Sequence, residues 1–113
     1  MRTAIYVRVA ISTPTGQLYT ERKSPIEQQL DLIRQRMVVR PAMPAAEDIF
    51  RDEGYGGHTL DRPALNHLRA LVSLGIYERV LVTSPDRLSR DHRQMRALIE
   101  EFEHKGCQIE FSD

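Results

Sequence analysis

The run Val82-Thr83-Ser84-Pro85-Asp86-Arg87-Leu88-Ser89-Arg90 places one carboxylate and two guanidiniums where an apolar stretch ends and a helix is due to begin. In open α/β sheets that junction, just outside the carboxyl end of a strand, is where ligands bind. Arg87 and Arg90 are three residues apart, so a helical turn through them would point both forks the same way, toward a planar anion such as a phosphate. Two further arginines fall at comparable junctions: Arg8 near the end of Ala4-Ile5-Tyr6-Val7-Arg8-Val9-Ala10, and Arg62, in Asp61-Arg62-Pro63, just before a helix start. Taken singly, Arg8 or Arg62 would read as a surface salt-bridge partner. If all four converge, they form a phosphodiester site, because a phosphoryl-transfer transition state spreads negative charge over its nonbridging oxygens and preorganised guanidiniums stabilise it.

The elements that must position these groups follow from hydrophobic spacing. Residues 3 to 9 alternate and are β-branched enough for a strand. Pro25 then opens a helix with Ile26, Leu30, Ile33 and Met37 on one stripe. The intervening Ile11 to Ser24 is rich in Thr, Ser, Gly and Pro, too polar for a core element and long for a βα connection. Arg40-Pro41-Ala42-Met43-Pro44 breaks the helix, Asp48-Ile49-Phe50 is a short second strand, and Asp52-Glu53-Gly54-Tyr55-Gly56-Gly57-His58 reads as a glycine-punctuated loop. Pro63 starts a second helix carrying Leu65, Leu68, Leu71 and Val72, ended by Gly75, and Arg79 to Thr83 is a central strand. A third helix, capped by Asp91 and turning Met95, Leu98, Ile99 and Phe102 inward, runs to Gly106 before a last strand, Gln108 to Phe111. Such βαβαβαβ alternation predicts an α/β, three-layer domain, a mostly parallel four-stranded or slightly larger sheet with helices on both faces.

Composition narrows the function. At 113 residues the chain is one domain that needs no disulfide or metal to fold. Aromatics make up 6% and Trp is absent, which disfavours a stacking platform for single strands. No long apolar stretch and no signal peptide is present, so the expected location is the cytoplasm, with no membrane partner. Net charge is zero, 16 basic against 16 acidic residues, so the chain lacks the electrostatic footprint of an independent DNA-binding module. Of the basic residues 14 are Arg and two, Lys23 and Lys105, are Lys; this suits bidentate phosphate contact but also follows from a GC-rich genome. Cys107 stands alone and reads as a small buried strand residue. His58, His67, His92 and His104 share no metal-ligand spacing and read as surface residues.

The residues together resemble the N-terminal catalytic domain of serine recombinases, the resolvase, invertase and large serine integrase group. The resemblance spans essentially residues 1–113 and is carried by Tyr6-Val7-Arg8-Val9, Ile26-Glu27-Gln28-Gln29-Leu30, Asp52-Glu53-Gly54-Tyr55-Gly56-Gly57 through Asp61-Arg62-Pro63-Ala64-Leu65, and Asp86-Arg87-Leu88-Ser89-Arg90. It implies a resolvase-like (flavodoxin-like) fold, no cofactor and no metal. It also implies site-specific cleavage and rejoining of double-stranded DNA through a 5′-phosphoserine intermediate. By the same resemblance, Asp86 would orient a neighbouring arginine and assist proton transfer, and Gln29 would bond the phosphate or an arginine, with Gln28 the alternative register. Tyr6 would either support the pocket or pack as a core tyrosine. The family acts as dimers that pair into tetramers, is bacterial or phage-encoded, and carries a long oligomerising helix and a DNA-binding part that this chain would lack.

One departure bears on activity. The family serine that attacks the phosphodiester follows the Tyr-x-Arg-Val stretch, and here that position holds Ala10, which has no oxygen to act as nucleophile. Either Ala10 replaces a serine, by deliberate substitution or natural loss, or Ser12 serves instead. Ser12 lies roughly 6.6 Å further along a strand, and a displacement of even about 1 Å can cost a hundredfold in rate, so Ser12 is read as a loop residue. Gly56, where a serine is usual, and Pro25, where serine or threonine is common, are smaller departures. The long loop and the Asp-Glu-Gly-Tyr and Arg-Pro-Ala-Leu stretches lean toward the large recombinases. The expectation is a recombinase catalytic domain made inert by Ala10. Its rivals are a catalytically dead recombinase-like module that dimerises or regulates on DNA, and an unrelated flavodoxin-like nucleotide or receiver domain, against which the sequence shows neither the acidic cluster of a receiver nor a glycine-rich phosphate loop after its first strand.

Overall fold

The computed structural model describes residues 2–9, 25–36, 45–54 and 60–112. Ala10, Ser12, the Ile11 to Ser24 connection, Met37, the break at residues 40–44, and Tyr55 to His58 lie outside them. The described elements are strand β1 (Arg2–Val9), helix α1 (Pro25–Arg36), a single 3₁₀ turn (Ala46–Asp48), β2 (Ile49–Glu53), α2 (Pro63–Ser73), β3 (Tyr77–Val82), α3 (Pro85–Leu88), α4 (His92–Glu103) and β4 (Gln108–Phe111). All four strands pair in parallel in the order β2-β1-β3-β4.

The period-2 pattern of β1 is what makes the domain three-layered. Ile5, Val7 and Val9 point to one face, where they bury Leu30 and Ile33 of α1 together with Leu81. Ala4 and Tyr6 point to the other, where Phe50, Val80 and Val82 meet Leu65, Leu68 and Val72 of α2 and Met95, Leu98 and Phe102 of α4. A strand buried on both faces must be apolar nearly throughout; over residues 4–9 of β1, which are buried, the exception is Arg8, which has no exposed surface. Ile99 and Leu71, expected to face inward, are only partly buried at the edge of this core. Cys107 is buried, as expected, just before β4.

Chain punctuation follows local chemistry. Pro63 opens α2 and Asp91 caps α4, accepting hydrogen bonds from the Arg93 and Gln94 amides at 2.8 and 3.2 Å. Gly75, at φ +79°, occupies the left-handed conformation that lets the chain leave α2 and turn directly into β3. Strand order reverses between β1 and β3, since β2 lies to one side of β1 and β3 and β4 to the other. That switch point is where such sheets open a crevice at their carboxyl ends.

β2 runs longer than its sequence suggests. Asp52 and Glu53, read as loop, complete the strand and pair with Arg8 and Val9 of β1. The alternation continues through them, with Phe50 and Asp52 buried and Arg51 and Glu53 exposed.

Candidate active site

At the switch point the carboxyl ends of β1 and β3 carry Arg8 and the short helix α3, and α2 brings in Arg62 at its N-cap position. Helix α3 has only four residues and is bounded by extended Ser84 and Ser89. A helix that short leaves its last carbonyls without intrahelical partners. The two arginines supply them. Arg8 donates through Nε to the Arg87 carbonyl at 3.0 Å and through Nη2 to the Asp86 carbonyl at 2.8 Å. Arg62 donates through Nη1 to the Arg87 carbonyl at 3.2 Å and through Nη2 to the Leu88 carbonyl. Arg87 returns the contact, donating through Nη1 to the Arg8 carbonyl at 3.2 Å.

Arg8 and Arg62 are fully buried, so neither is the surface salt-bridge partner it would be if read singly. Gln29, buried on α1, grips Arg8 from the opposite side of the sheet, accepting from its amide at 3.4 Å and donating to its carbonyl at 3.0 Å. Gln29 is the glutamine of the pair that is buried against β1, while Gln28 is exposed. The clamp falls on the Arg8 backbone rather than on its guanidinium.

A second chain of bonds sets Arg62. Asp52, buried at the end of β2, accepts from the Ala64 and Leu65 amides at 2.9 and 3.0 Å and from the Tyr6 hydroxyl at 2.7 Å. The carboxylate thus satisfies two of the orphan amides at the start of α2, doing for that helix what its N-cap residue, Arg62, does not. Tyr6 in turn accepts from Arg62 Nη1 at 3.0 Å, with the guanidinium carbon 5.7 Å from the ring centroid. Burial and the Asp52 acceptor push the Tyr6 phenol well above its ordinary range, so it remains a neutral bridge. Tyr6 is both a core tyrosine and a support of the pocket.

Burial pushes the Arg8 pKa below the usual arginine value, and the nearby positive charges of Arg62, Arg87 and Arg90 push it the same way. The four guanidiniums expected to converge therefore share one electrostatic neighbourhood. They do not present equally: Arg87 is half-buried and Arg90 exposed, so these two form the rim while Arg8 and Arg62 form the floor.

Two expectations are corrected. Arg87 and Arg90 do not share a helical turn, because Ser89 is extended (φ −158°, ψ 143°) and ends α3 between them. The Asp86 carboxylate accepts from the Ser84 hydroxyl at 2.5 Å and not from an arginine; the Asp86 backbone carbonyl is what holds Arg8. The Ser84 hydrogen bond holds the Asp86 carboxyl below its ordinary range, with Arg87 and Arg8 adding to the effect. Asp52 is the residue that the sequence did not assign to the site. The available signal was an acidic residue on the buried phase of an alternating strand, two after Phe50.

The fold and site together are those of an open parallel α/β domain with four arginines gathered at its switch point. Within that class, a family model described as the resolvase N-terminal domain matches residues 3–113, and the chain belongs to that family. It is 38% identical over 92 residues to the Tn3 transposon resolvase of Escherichia coli, covering 81% of this chain and 47% of the relative. A resolvase/recombinase of Pseudomonas putida is likewise 38% identical over 92 residues, with 81% and 48% covered. The chain thus spans about half the length of these curated relatives. Among solved structures, the N-terminal catalytic domain of TP901-1 integrase superposes with a TM-score of 0.75 at 27% identity, covering 96% of this chain and 76% of that one. The C-terminal catalytic domain of the IS607-like serine recombinase ISC1926 TnpA gives 0.71 at 24% identity, covering 100% and 68%, a likeness of fold alone.

Among the described residues no helix is long and apolar enough to cross a membrane. No group of three or more metal-ligating side chains is found among them either.

Proposed function

We propose that residues 1–113 are the catalytic domain of a site-specific DNA recombinase whose nucleophile position is occupied by Ala10, so that the phosphate-binding machinery persists without the attacking oxygen. The observation that carries this reading is the interlocked set of Arg8, Arg62 and Arg87, with Arg90 on the rim. It lies at the end of the strand after which Ala10 follows in sequence. In this reading Arg87 and Arg90 meet the scissile phosphate first, and Arg8 and Arg62 stabilise the charge that develops on its nonbridging oxygens. Gln29 and Asp86 serve the site through the backbone of Arg8 and of α3. Double-stranded DNA is the partner, and the working assembly is a dimer that pairs into a tetramer.

The test restores the oxygen. Ala10→Ser in the complete chain, incubated with restriction fragments of its host's DNA, is expected to give a covalent protein–DNA species that survives detergent and carries a phosphoserine. A folded variant that yields no such species would overturn the proposal. A second reading, a non-cleaving module that dimerises or regulates on DNA, is favoured by Ala10 itself. Genomic sequence encoding alanine at codon 10, together with DNA-dependent dimerisation of the unaltered chain, supports it.

A further inference from the structure

Helix α4 gathers cations in its first half, where its own dipole disfavours them. Its first two turns hold Arg93 and Arg96, with Arg90 just before the Asp91 cap, while its end holds Glu100, Glu101 and Glu103. The helix dipole favours anions at the N-terminus, where Asp91 supplies one, and cations at the C-terminus, where Lys105 follows the last turn; Arg93 and Arg96 are the cations that stand against it. A local rule broken without a packing reason points to function.

Packing gives none. Met95, Leu98 and Phe102 face the core, whereas Arg90, Arg93 and Arg96 are exposed. Among the described residues none of their guanidiniums is in an ion pair or hydrogen bond, although Arg2, Arg34, Arg69 and Arg79 all have carboxylate partners. Glu101, by contrast, is engaged, accepting both arms of the Arg69 fork at 2.9 and 2.6 Å. Arg93 and Arg96 are three apart on one helix face and share an open hollow with His92, Ala97 and Glu100.

The position of this face relative to the site is fixed. Ser89 Oγ contacts the Asp91 carbonyl at 3.2 Å and the Gln94 side chain at 3.1 Å, which ties the first turn of α4 to the end of α3. Arg93 and Arg96 thus follow Arg90 at three-residue steps on a helix whose first turn is anchored to the end of α3. We infer that the N-terminal half of α4, through Arg93 and Arg96, is a backbone-binding surface for the DNA phosphates that flank the one held at the Arg8 and Arg62 site. The inference rests on the recombinase reading for its ligand class and adds a binding surface outside the reacting centre. It also gives the neutral chain a local means of gripping DNA, since exposed cations beside the site count for more than net charge.

The test is fluorescence anisotropy of the full chain with a short labelled duplex of arbitrary sequence, at several low salt concentrations. Arg93→Ala with Arg96→Ala is expected to weaken binding about tenfold and to reduce the slope of log affinity against log salt by about two, one for each phosphate that is no longer neutralised. Arg93→Lys with Arg96→Lys should restore most of both. Thermal melting of the alanine pair should match or exceed that of the parent, because the dipole conflict is relieved. Unchanged affinity and salt slope in the alanine pair would overturn the inference, as would no duplex binding by the parent at any salt concentration. Failure of the recombinase reading would look different. Ala10→Ser would form no covalent DNA species, while binding would still depend on Arg93 and Arg96.

Discussion

The Tyr6 hydroxyl donates to the Asp52 carboxylate at 2.7 Å across adjacent parallel strands, and the same hydroxyl accepts from Arg62 at 3.0 Å. One phenol thus joins β1, β2 and the start of α2. Because Asp52 also holds the Ala64 and Leu65 amides, the angle at which α2 leaves β2 and the placement of the Arg62 fork are set together.

Asp52→Ala removes three hydrogen bonds to one buried carboxylate and leaves two helix amides unsatisfied. The expected loss is about 3 kcal/mol of unfolding free energy. Urea denaturation measures it, and Asp52→Asn, which keeps one of the two acceptor oxygens, should lose less.

Arg62→Lys is not conservative here. The planar fork reaches the Tyr6 hydroxyl, the Arg87 carbonyl and the Leu88 carbonyl at once, and an ammonium on a flexible stem cannot span all three. A loss of about 2 kcal/mol is expected, together with amide chemical-shift changes concentrated in residues 85–88. Shifts spread evenly over the domain would contradict a local clamp.

Gln29→Ala removes the side-chain acceptor of the Arg8 amide and one of the two side-chain donors to its carbonyl, and should cost about 1–2 kcal/mol. Its neighbour offers a matched control: Gln28→Ala, at an exposed position, should stay within about 0.5 kcal/mol of the parent. Equal effects at the two sites would place the register elsewhere.

Arg90→Ala should leave folding nearly unchanged, since Arg90 is exposed. In an Ala10→Ser background it is expected to lower the rate of covalent DNA linkage by about 10²–10³, as the loss of one preorganised donor to a developing anion does. Single-turnover kinetics read the effect, and a rate close to that of the Ala10→Ser parent would remove Arg90 from the site.

Alkaline stability has a defined origin at the other end of the sheet. Tyr77 donates to Asp48 at 2.8 Å, and burial with this bond pushes its phenol from 10.0 up to about 12. A raised folded pKa means the contribution is complete below about pH 10 and lost as pH rises through the folded value. Denaturant midpoints should therefore fall between about pH 10 and 12, and Tyr77→Phe should flatten part of that fall; the rest belongs to Tyr6, whose phenol is raised further, and to Cys107, whose buried thiol is pushed up to about 11.

Much of the fold was legible because it rests on short-range pattern. Alternation marked β1, the stripes at Leu30 and Ile33 and at Met95, Leu98 and Phe102 marked the core faces of α1 and α4, and Pro63, Gly75 and Asp91 stood at boundaries that the structure keeps. The ends of β2 were less legible, because glycines after Glu53 outweighed an alternation only five residues long. The site divides the same way. Its arginines stood out as cations at strand and helix ends, while Asp52 and the Asp86 carbonyl did not.

By itself the sequence determined which arginines fall at strand and helix ends and that alternating strands and helices must bring strand ends together. Those are properties of residue type and period, readable one segment at a time. Only the tertiary structure decided that Arg8 and Arg62 are engaged by the orphan carbonyls of a four-residue helix, that Arg87 and Arg90 reach the rim from separate backbone segments, and that Asp52 governs Arg62 through Tyr6. The partners in each case are dozens of residues apart, and a buried polar group bonds whichever partner the fold brings within about 3 Å.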